Sequence, residues 1–169
     1  MKKHIQIFSL IIILILADQL TKLWALAELR GSEGISVITG IFELQYLENR
    51  GAAFGILQNH QVLFLLITVL AAVLLTYIYA RIPDDKKYIP LRICYVLLMA
   101  GAFGNMIDRA FRGYVVDFFY VKLIDFPIFN VADIYVTVTM VLLMGLILFY
   151  YKEEDLEFLS RKGKHGRND

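Results

Sequence analysis

Histidine, serine and cysteine, the side chains that most often bind zinc or act as nucleophiles, are scarce in this chain. The single cysteine, Cys94, excludes an intrachain disulfide framework. The three histidines, His4, His60 and His165, are far apart and none belongs to a His-Glu-x-x-His helix, so we expect no zinc site. None of the four serines occupies a Gly-x-Ser-x-Gly turn. Carboxylates are therefore the main candidates for acid–base chemistry.

Charged residues make up only 20% of the sequence, whereas apolar residues make up 59% and the mean hydropathy is +0.62. A soluble domain of this size has a clearly lower apolar fraction. Four apolar stretches, roughly 5–27, 62–80, 89–107 and 134–151, approach the roughly 20 helical residues that cross a bilayer core. We predict a mainly α membrane protein with four transmembrane helices.

The basic residues predict how these helices are oriented. Eleven of the seventeen Lys and Arg residues lie before the first stretch, around the link between the second and third, or after the fourth. The positive-inside rule then predicts that both termini are cytoplasmic and that the 28–61 and 110–133 connections lie outside. The net charge of +1 gives no indication of nucleic-acid binding.

The N-terminus also has features of a cleaved secretory signal, with two lysines, an apolar run and Ala25-Leu26-Ala27. However, the apolar run is longer than a typical signal and is interrupted by Asp18 and Lys22. Its removal would leave three spans and turn the basic tail outward. We therefore expect residues 1–169 to form a single membrane domain with a basic cytoplasmic tail at about 152–169.

The predicted outer connections contain strand patterns. Apolar and polar residues alternate from 35 to 48, which indicates one or two strands joined at Gly40, with an apolar face toward lipid or a substrate. A small-residue turn follows at 49–55, and 113–121 is again typical of a strand. These segments predict a small extracytoplasmic β-sheet, or cradle.

Two aspartates, Asp117 and Asp133, lie near the ends of apolar stretches, sixteen positions apart with Pro127 between them. A carboxylate at the edge of a bilayer is costly and usually has a function. If the two share a site, one is expected to hold a proton while the other acts as a base, as in an aspartic hydrolase. Alternatively, Asn130 caps the fourth helix and Asp133 interacts with the helix dipole, and both interpretations can hold together.

Asn105, Asp108 and Arg109 fall on one side of the third helix. Asp108 can form a structural ion pair with either Arg109 or Arg112. Alternatively, Arg109 can offer its planar donors to a substrate carbonyl or a lipid ester oxygen.

Four further polar residues are candidates for supporting the site. Asn49 and Asn130 are neutral donors that can hold a peptide backbone without changing the charge of the aspartates. Asp18 and Lys22 have i, i+4 spacing. They form either a salt bridge that fixes the helix or a support for catalysis.

Five segments, in order, resemble the motifs of bacterial lipoprotein signal peptidase (signal peptidase II). They are Asp18-Gln19-Leu20-Thr21-Lys22, Asn49-Arg50-Gly51-Ala52-Ala53-Phe54, Gly104-Asn105-Met106-Ile107-Asp108-Arg109, Val115-Val116-Asp117-Phe118 and Phe129-Asn130-Val131-Ala132-Asp133. The resemblance covers about residues 5–150. The chain departs from the family pattern at Ala100, where the family often has a second glycine.

The resemblance implies an intramembrane aspartic endopeptidase in the bacterial cytoplasmic (inner) membrane, with its active site toward the extracytoplasmic face. The family removes signal peptides from diacylglyceryl-modified prolipoproteins, cleaving just before the lipidated cysteine. The catalytic aspartates of the family correspond to Asp117 and Asp133, and the family uses no metal or organic cofactor. Globomycin-like cyclic peptides inhibit the family. We expect a monomer whose partners are prolipoproteins and membrane lipid.

A small proton-coupled transporter is the main alternative function, because buried Asp and Lys residues also suit an ion relay. In such a protein the charges usually lie near the membrane midplane. Here the polar residues cluster toward one end of the helices, which favours hydrolysis with access to water. A non-catalytic assembly protein would explain neither the paired aspartates nor the asparagines.

Overall fold

The structure is a computed structural model that describes residues 2–51 and 60–159. This part of the protein consists of four long helices and a small antiparallel sheet. The helices are α1 (Lys2–Glu28), α2 (Gln61–Tyr79), α3 (Ile89–Arg112) and α4 (Val131–Gly145), and a π-helical turn, Leu146–Tyr150, continues α4. The strands are β1 (Ile35–Ile38), β2 (Phe42–Asn49) and β3 (Val115–Tyr120). Short 3₁₀ helices lie at Lys86–Tyr88, Lys122–Ile124 and Glu153–Leu159.

All four helices are long and apolar enough to cross a membrane, which confirms the predicted four-helix membrane fold. The third helix continues to Arg112, beyond the predicted end at 107, and stops at Gly113, whose φ of 75° provides the left-handed conformation of a C-terminal cap. The fourth begins at Val131, three residues before the predicted start, because Asn130 caps it. Capping, by a glycine at the end of α3 and an asparagine at the start of α4, therefore decides both boundaries, and hydropathy does not detect it.

Glycines on α3 allow α1 and α4 to approach closely. A Cβ atom at Gly101 would lie 2.6 Å from the carbonyl oxygen of Ala132. A Cβ atom at Gly104 would lie 2.6 Å from a carboxylate oxygen of Asp18. Small residues at helix contacts have this effect in membranes, and Ala100, fully buried beside Gly101, is small enough to fit.

The predicted small sheet is confirmed as three antiparallel strands in the order β1-β2-β3. Gly40, with a φ of 75°, lies in the turn between β1 and β2. The face of β2 predicted to point toward lipid or a substrate is half-buried, and part of it packs against the protein itself. Leu44 and Tyr46 pack into a cluster formed by the end of α1 and the inner side of β3, with Leu29 and Phe118 at its centre. The short loops bring these apolar surfaces together, so the cluster fixes β3 on top of α1.

At the opposite end of the helices, the short helix Glu153–Leu159 packs back on the start of α3. The Tyr151 hydroxyl donates to the Lys87 carbonyl oxygen at 2.8 Å, and the Lys87 ammonium lies 2.6 Å from an Asp155 carboxylate oxygen. The rings of Tyr88 and Tyr151 stack with centroids 5.7 Å apart. The chain leaving α4 is therefore anchored here, and most of the basic tail lies outside the described residues.

The orientation of the helices leads to a labelling prediction. Cysteines introduced at Ser36 and Leu123, both exposed near the sheet, should react with a membrane-impermeant thiol reagent in intact cells. Cysteines at Lys86 and Lys164 should be protected until the cells are opened, because the basic loops are expected to be cytoplasmic. Replacing the buried Cys94 by alanine gives a clean background. The reverse labelling pattern would show that the predicted orientation is wrong.

Candidate active site

A cavity of about 810 Å³ opens where the sheet meets the ends of α3 and α4. Its polar wall contains Asn49, Arg109, Asp117 and Asp133. Its apolar wall comes from the loop before α4 and from the first turns of α4, with Phe126, Pro127, Ile128, Phe129, Ile134 and Val138. The two aspartates singled out in the sequence therefore face the same space.

Asp117 lies in β3, is 1% exposed and is flanked by fully buried apolar residues. Its two carboxylate oxygens accept hydrogen bonds from the Asn49 amide at 2.9 Å and the Asn130 amide at 2.6 Å. Burial, and secondly the nearby charge of Asp133, raises the pKa of Asp117 to about 7, although both amides favour the ionised form. Asp117 can therefore carry a proton near neutral pH.

Asp133 lies in the first turn of α4, where it forms a reciprocal cap with Asn130. The Asn130 side-chain oxygen accepts from the Asp133 backbone amide at 3.1 Å, and the Asp133 carboxylate accepts from the Asn130 backbone amide at 3.1 Å. The other Asp133 oxygen accepts from the Asn105 amide at 2.8 Å. Asn130 thus caps the helix and contacts both aspartates.

Asn105 connects the aspartates to the interior of the helix bundle. Its side-chain oxygen accepts from the Lys22 ammonium at 2.9 Å and from the Asn130 amide at 3.2 Å, while its amide donates to Asp133. The orientation of the Asn105 amide is therefore set by the Lys22 cation at its oxygen and the Asp133 carboxylate at its nitrogen.

Lys22 lies between two carboxylates inside the bundle. Its ammonium is 2.9 Å from Asp18 and 3.0 Å from Asp108, and all three side chains are 0% exposed. The Arg112 guanidinium also pairs with Asp108, so Arg112 rather than Arg109 forms the structural ion pair that the sequence left open. Removing one member of such a buried network leaves an uncompensated charge, which typically costs about 3–5 kcal/mol.

The two carboxylates of this network also fix the backbone beside the cavity. Asp18 accepts a hydrogen bond from the backbone amide of Ala132 at 2.9 Å, and Asp108 accepts one from the backbone amide of Val116 at 3.2 Å. Ala132 and Val116 are the residues immediately before the two cavity aspartates. Each buried carboxylate therefore fixes the position of the peptide that carries one cavity aspartate.

Arg109 lies on the cavity side of α3, and no described carboxylate is within salt-bridge distance of it. One guanidinium nitrogen is 3.4 Å from the carbonyl oxygen of Gly51, and the guanidinium carbon lies 4.6 Å from the centroid of the Phe64 ring. Its charge is therefore not neutralised by a described acidic partner and faces a cavity that contains two carboxylates.

Sequence reasoning missed the apolar wall of the cavity, although a signal for part of it was present. Val136 lines the cavity and is three residues after Asp133, so the helical period alone could have placed it on the same face. The Phe64 ring, which reaches the Arg109 guanidinium from α2, has no comparable signal in the sequence. The second half of the 49–55 turn lies outside the described residues.

No group of three or more His, Cys, Asp or Glu side chains in residues 2–51 and 60–159 is arranged to hold a metal ion. The described donors to the cavity aspartates are asparagine amides and backbone amides. These donors are neutral, so they hold the two carboxyl groups without adding charge to the site.

Comparison with known proteins identifies the family. The sequence model of a family described as Signal peptidase (SPase) II matches residues 10–149 of this chain. The chain belongs to the signal peptidase II family. It is 43% identical over 146 residues to the lipoprotein signal peptidase of Clostridioides difficile (strain 630), covering 85% of this chain and 96% of that protein. It is also 43% identical over 145 residues to the lipoprotein signal peptidase of Streptococcus thermophilus (strain CNRZ 1066), covering 86% and 92%.

Two solved structures, both described as bacterial membrane enzymes studied by the in meso method, share the fold of this signal peptidase II family member. The first has a TM-score of 0.74 at 29% identity and covers 96% of this chain and 94% of its own. The second has a TM-score of 0.75 at 31% identity and covers 86% and 94%. The helices and sheet that build the cavity are thus shared with known membrane enzymes, and the family assignment makes the chain a peptidase.

The raised pKa of Asp117 predicts a pH-dependent stability. Because the pKa is about 7 in the folded protein and 3.8 in the reference state, the folded state binds this proton more tightly. The resulting stabilisation is complete below about pH 4 and is lost as the pH rises through 7. The thermal midpoint of purified Asp117→Asn should therefore fall less between pH 5 and 8 than that of the unaltered protein.

The measurement is a thermal melt in detergent at several pH values, with the exposed Glu33→Gln as a control that keeps the original slope. Equal slopes for Asp117→Asn and the unaltered protein would show that Asp117 does not titrate in this range.

Proposed function

We propose that this protein is an intramembrane aspartic endopeptidase that removes the signal peptide from diacylglyceryl-modified prolipoproteins, cleaving just before the lipidated cysteine. The observation that supports this most strongly is the contact of Asn130 with both Asp117 and Asp133 in one cavity. Membership of the signal peptidase II family and the relatives named lipoprotein signal peptidase support the substrate class. We refer to Asp117 and Asp133 as the dyad.

In the proposed mechanism the dyad carries one proton, on Asp117, whose raised pKa suits this role. Asp133 accepts a proton from a water molecule as that water attacks the scissile carbonyl carbon. Asp117 gives its proton to the carbonyl oxygen, so that a neutral tetrahedral diol forms. As the C–N bond breaks, Asp133 transfers its proton to the leaving nitrogen, and Asp117 recovers the proton from the diol hydroxyl.

Asn49 and Arg109 are the proposed contacts for the peptide backbone. Asn49 already donates to Asp117 and accepts from the Gly51 amide at 3.0 Å, so its side chain is fixed at the rim of the dyad. Arg109 brings a cation to the same cavity without a described acidic partner. A fixed donor and a fixed cation can stabilise the charge that develops on the carbonyl oxygen.

The lipid part of the substrate matches the apolar wall of the cavity. Ile134 and Val138 line the cavity and are 37% and 50% exposed. They lie on a helix that is long and apolar enough to span a membrane, so in a bilayer the apolar wall can adjoin the hydrocarbon region. An acyl chain can therefore occupy the boundary while the cysteine end of the peptide reaches the dyad, which suits a substrate that carries its own lipid.

The first prediction from this mechanism concerns the dyad. Asp117→Asn and Asp133→Asn should each reduce cleavage of a diacylglyceryl-modified peptide by at least about a thousandfold, and the double variant should be little worse, because the two residues act as a unit. Asp125→Asn, the same change on an exposed aspartate in the loop before α4, should keep full activity. Substantial turnover by either single dyad variant would rule out the aspartic mechanism.

The second prediction concerns lipid and backbone contacts. Asn49→Ala and Arg109→Ala should lower turnover by about tenfold or more while changing the thermal midpoint little, because each removes a cavity contact and leaves the buried network intact. A matched peptide without the diacylglyceryl group should be cleaved far more slowly, since it lacks the binding energy of the acyl chains. Equal rates for the two peptides would contradict the proposed role of the lipid.

A further inference from the structure

The first turn of α2 contacts the candidate active site, although α2 contributes no carboxylate or asparagine to it. Gln61 is the first residue of α2, and its side-chain amide donates to the carbonyl oxygen of Arg50 at 2.8 Å. Phe64, one turn further on, lies under the guanidinium of Arg109. Both contacts reach groups close to Asn49 and the dyad.

These contacts hold the turn that follows β2 from two sides. Gln61 donates to the carbonyl of Arg50, and Arg109 donates to the carbonyl of the next residue, Gly51. The Gly51 amide in turn donates to the side-chain oxygen of Asn49. The Asn49 amide is thereby directed at Asp117. The positions of α2 and α3 therefore influence the orientation of Asn49 relative to the dyad.

The Phe64 ring helps to hold the Arg109 guanidinium in position. Its hydrogen bond to Gly51 is long, at 3.4 Å, and no described carboxylate pairs with it. Its Nε atom is buried and has no hydrogen-bond partner among the described residues. A cation 4.6 Å from a ring centroid in a desolvated place is held by a substantial cation–π attraction, which adds to the longer-range attraction of Asp133 and Asp117.

We propose that Phe64 and Gln61 are positioning residues of the peptidase, which hold the Arg109 cation and the turn 49–51 against the dyad. Arg109 has no described carboxylate within salt-bridge distance, so its guanidinium remains available to the substrate. The aromatic ring orients it without neutralising it. This inference rests on the proposed function and adds two residues of α2 to those that position the active site.

The main test is a double-mutant cycle between Phe64 and Arg109. Phe64→Leu should lower kcat/KM for a diacylglyceryl-modified peptide by about fivefold, a loss within the range expected for a cation–π contact. In an Arg109→Ala background the same change should have almost no further effect, because the cation that the ring supports is absent. Phe64→Tyr, which keeps the ring, should restore kcat/KM to within about twofold.

Phe111→Leu is the matched control, since Phe111 is 85% exposed on α3 near Arg109 and should leave kcat/KM unchanged. Gln61→Met, which keeps the length of the side chain but removes its donor, should also lower kcat/KM by a few fold. The thermal midpoint of each variant should change little. A merely structural contact would lower stability and would be equally harmful with or without Arg109.

Substrate binding provides a second measurement that does not depend on turnover. In the Asp117→Asn background, Phe64→Leu should weaken binding of the same lipidated peptide when Arg109 is present and not when it is alanine. Full activity of Phe64→Leu, or additive losses in both cycles, would overturn the inference while leaving the dyad mechanism intact. Turnover by Asp117→Asn would instead overturn the proposed function, and the two failures are therefore distinguishable.

Discussion

The ammonium of Lys22, enclosed by Asp18 and Asp108, is the interaction on which the other features of the site depend. A lysine with no exposure is tolerated in a membrane helix only because two carboxylates and an asparagine oxygen satisfy its three donors. Each carboxylate also accepts a hydrogen bond from a backbone amide, that of Ala132 before Asp133 or that of Val116 before Asp117. One cation thus joins α1, α3, β3 and α4.

This arrangement explains how small elements can place two carboxylic acids in one cavity. The strand that carries Asp117 has six residues and could not fix a side chain alone. It is held on one side by pairing with β2 and beneath by the apolar cluster around Leu29. The helix start that carries Asp133 is fixed by its own cap and by the close approach at Gly101. The two aspartates are therefore held in place by contacts of their strand and helix with the rest of the protein.

Much of this could be predicted from the sequence, because hydropathy and local spacing carry the signal. The four spans, the short sheet, the Asp18–Lys22 pair and the cap at Asn130 all depend on neighbouring residues in the chain. The spacing of four between Asp108 and Arg112 could also have identified the ion pair. In contrast, the backbone amide that donates to Asp18 is 114 positions away in the chain, and the one that donates to Asp108 lies 8 positions away, on a strand. The ring beneath Arg109 comes from another helix. Such contacts depend on tertiary packing, which periodicity does not encode.

The position of Ile134 and Val138, which line the cavity on a helix able to span the membrane, has a kinetic consequence for the proposed function. A lipidated substrate that shares the bilayer with the enzyme would reach the cavity by lateral diffusion in two dimensions. Its effective concentration is then its mole fraction among the lipids, and diluting it with other lipids should slow the reaction even when its bulk concentration is constant. The rate of this enzyme is therefore a property of the membrane surface as well as of the protein.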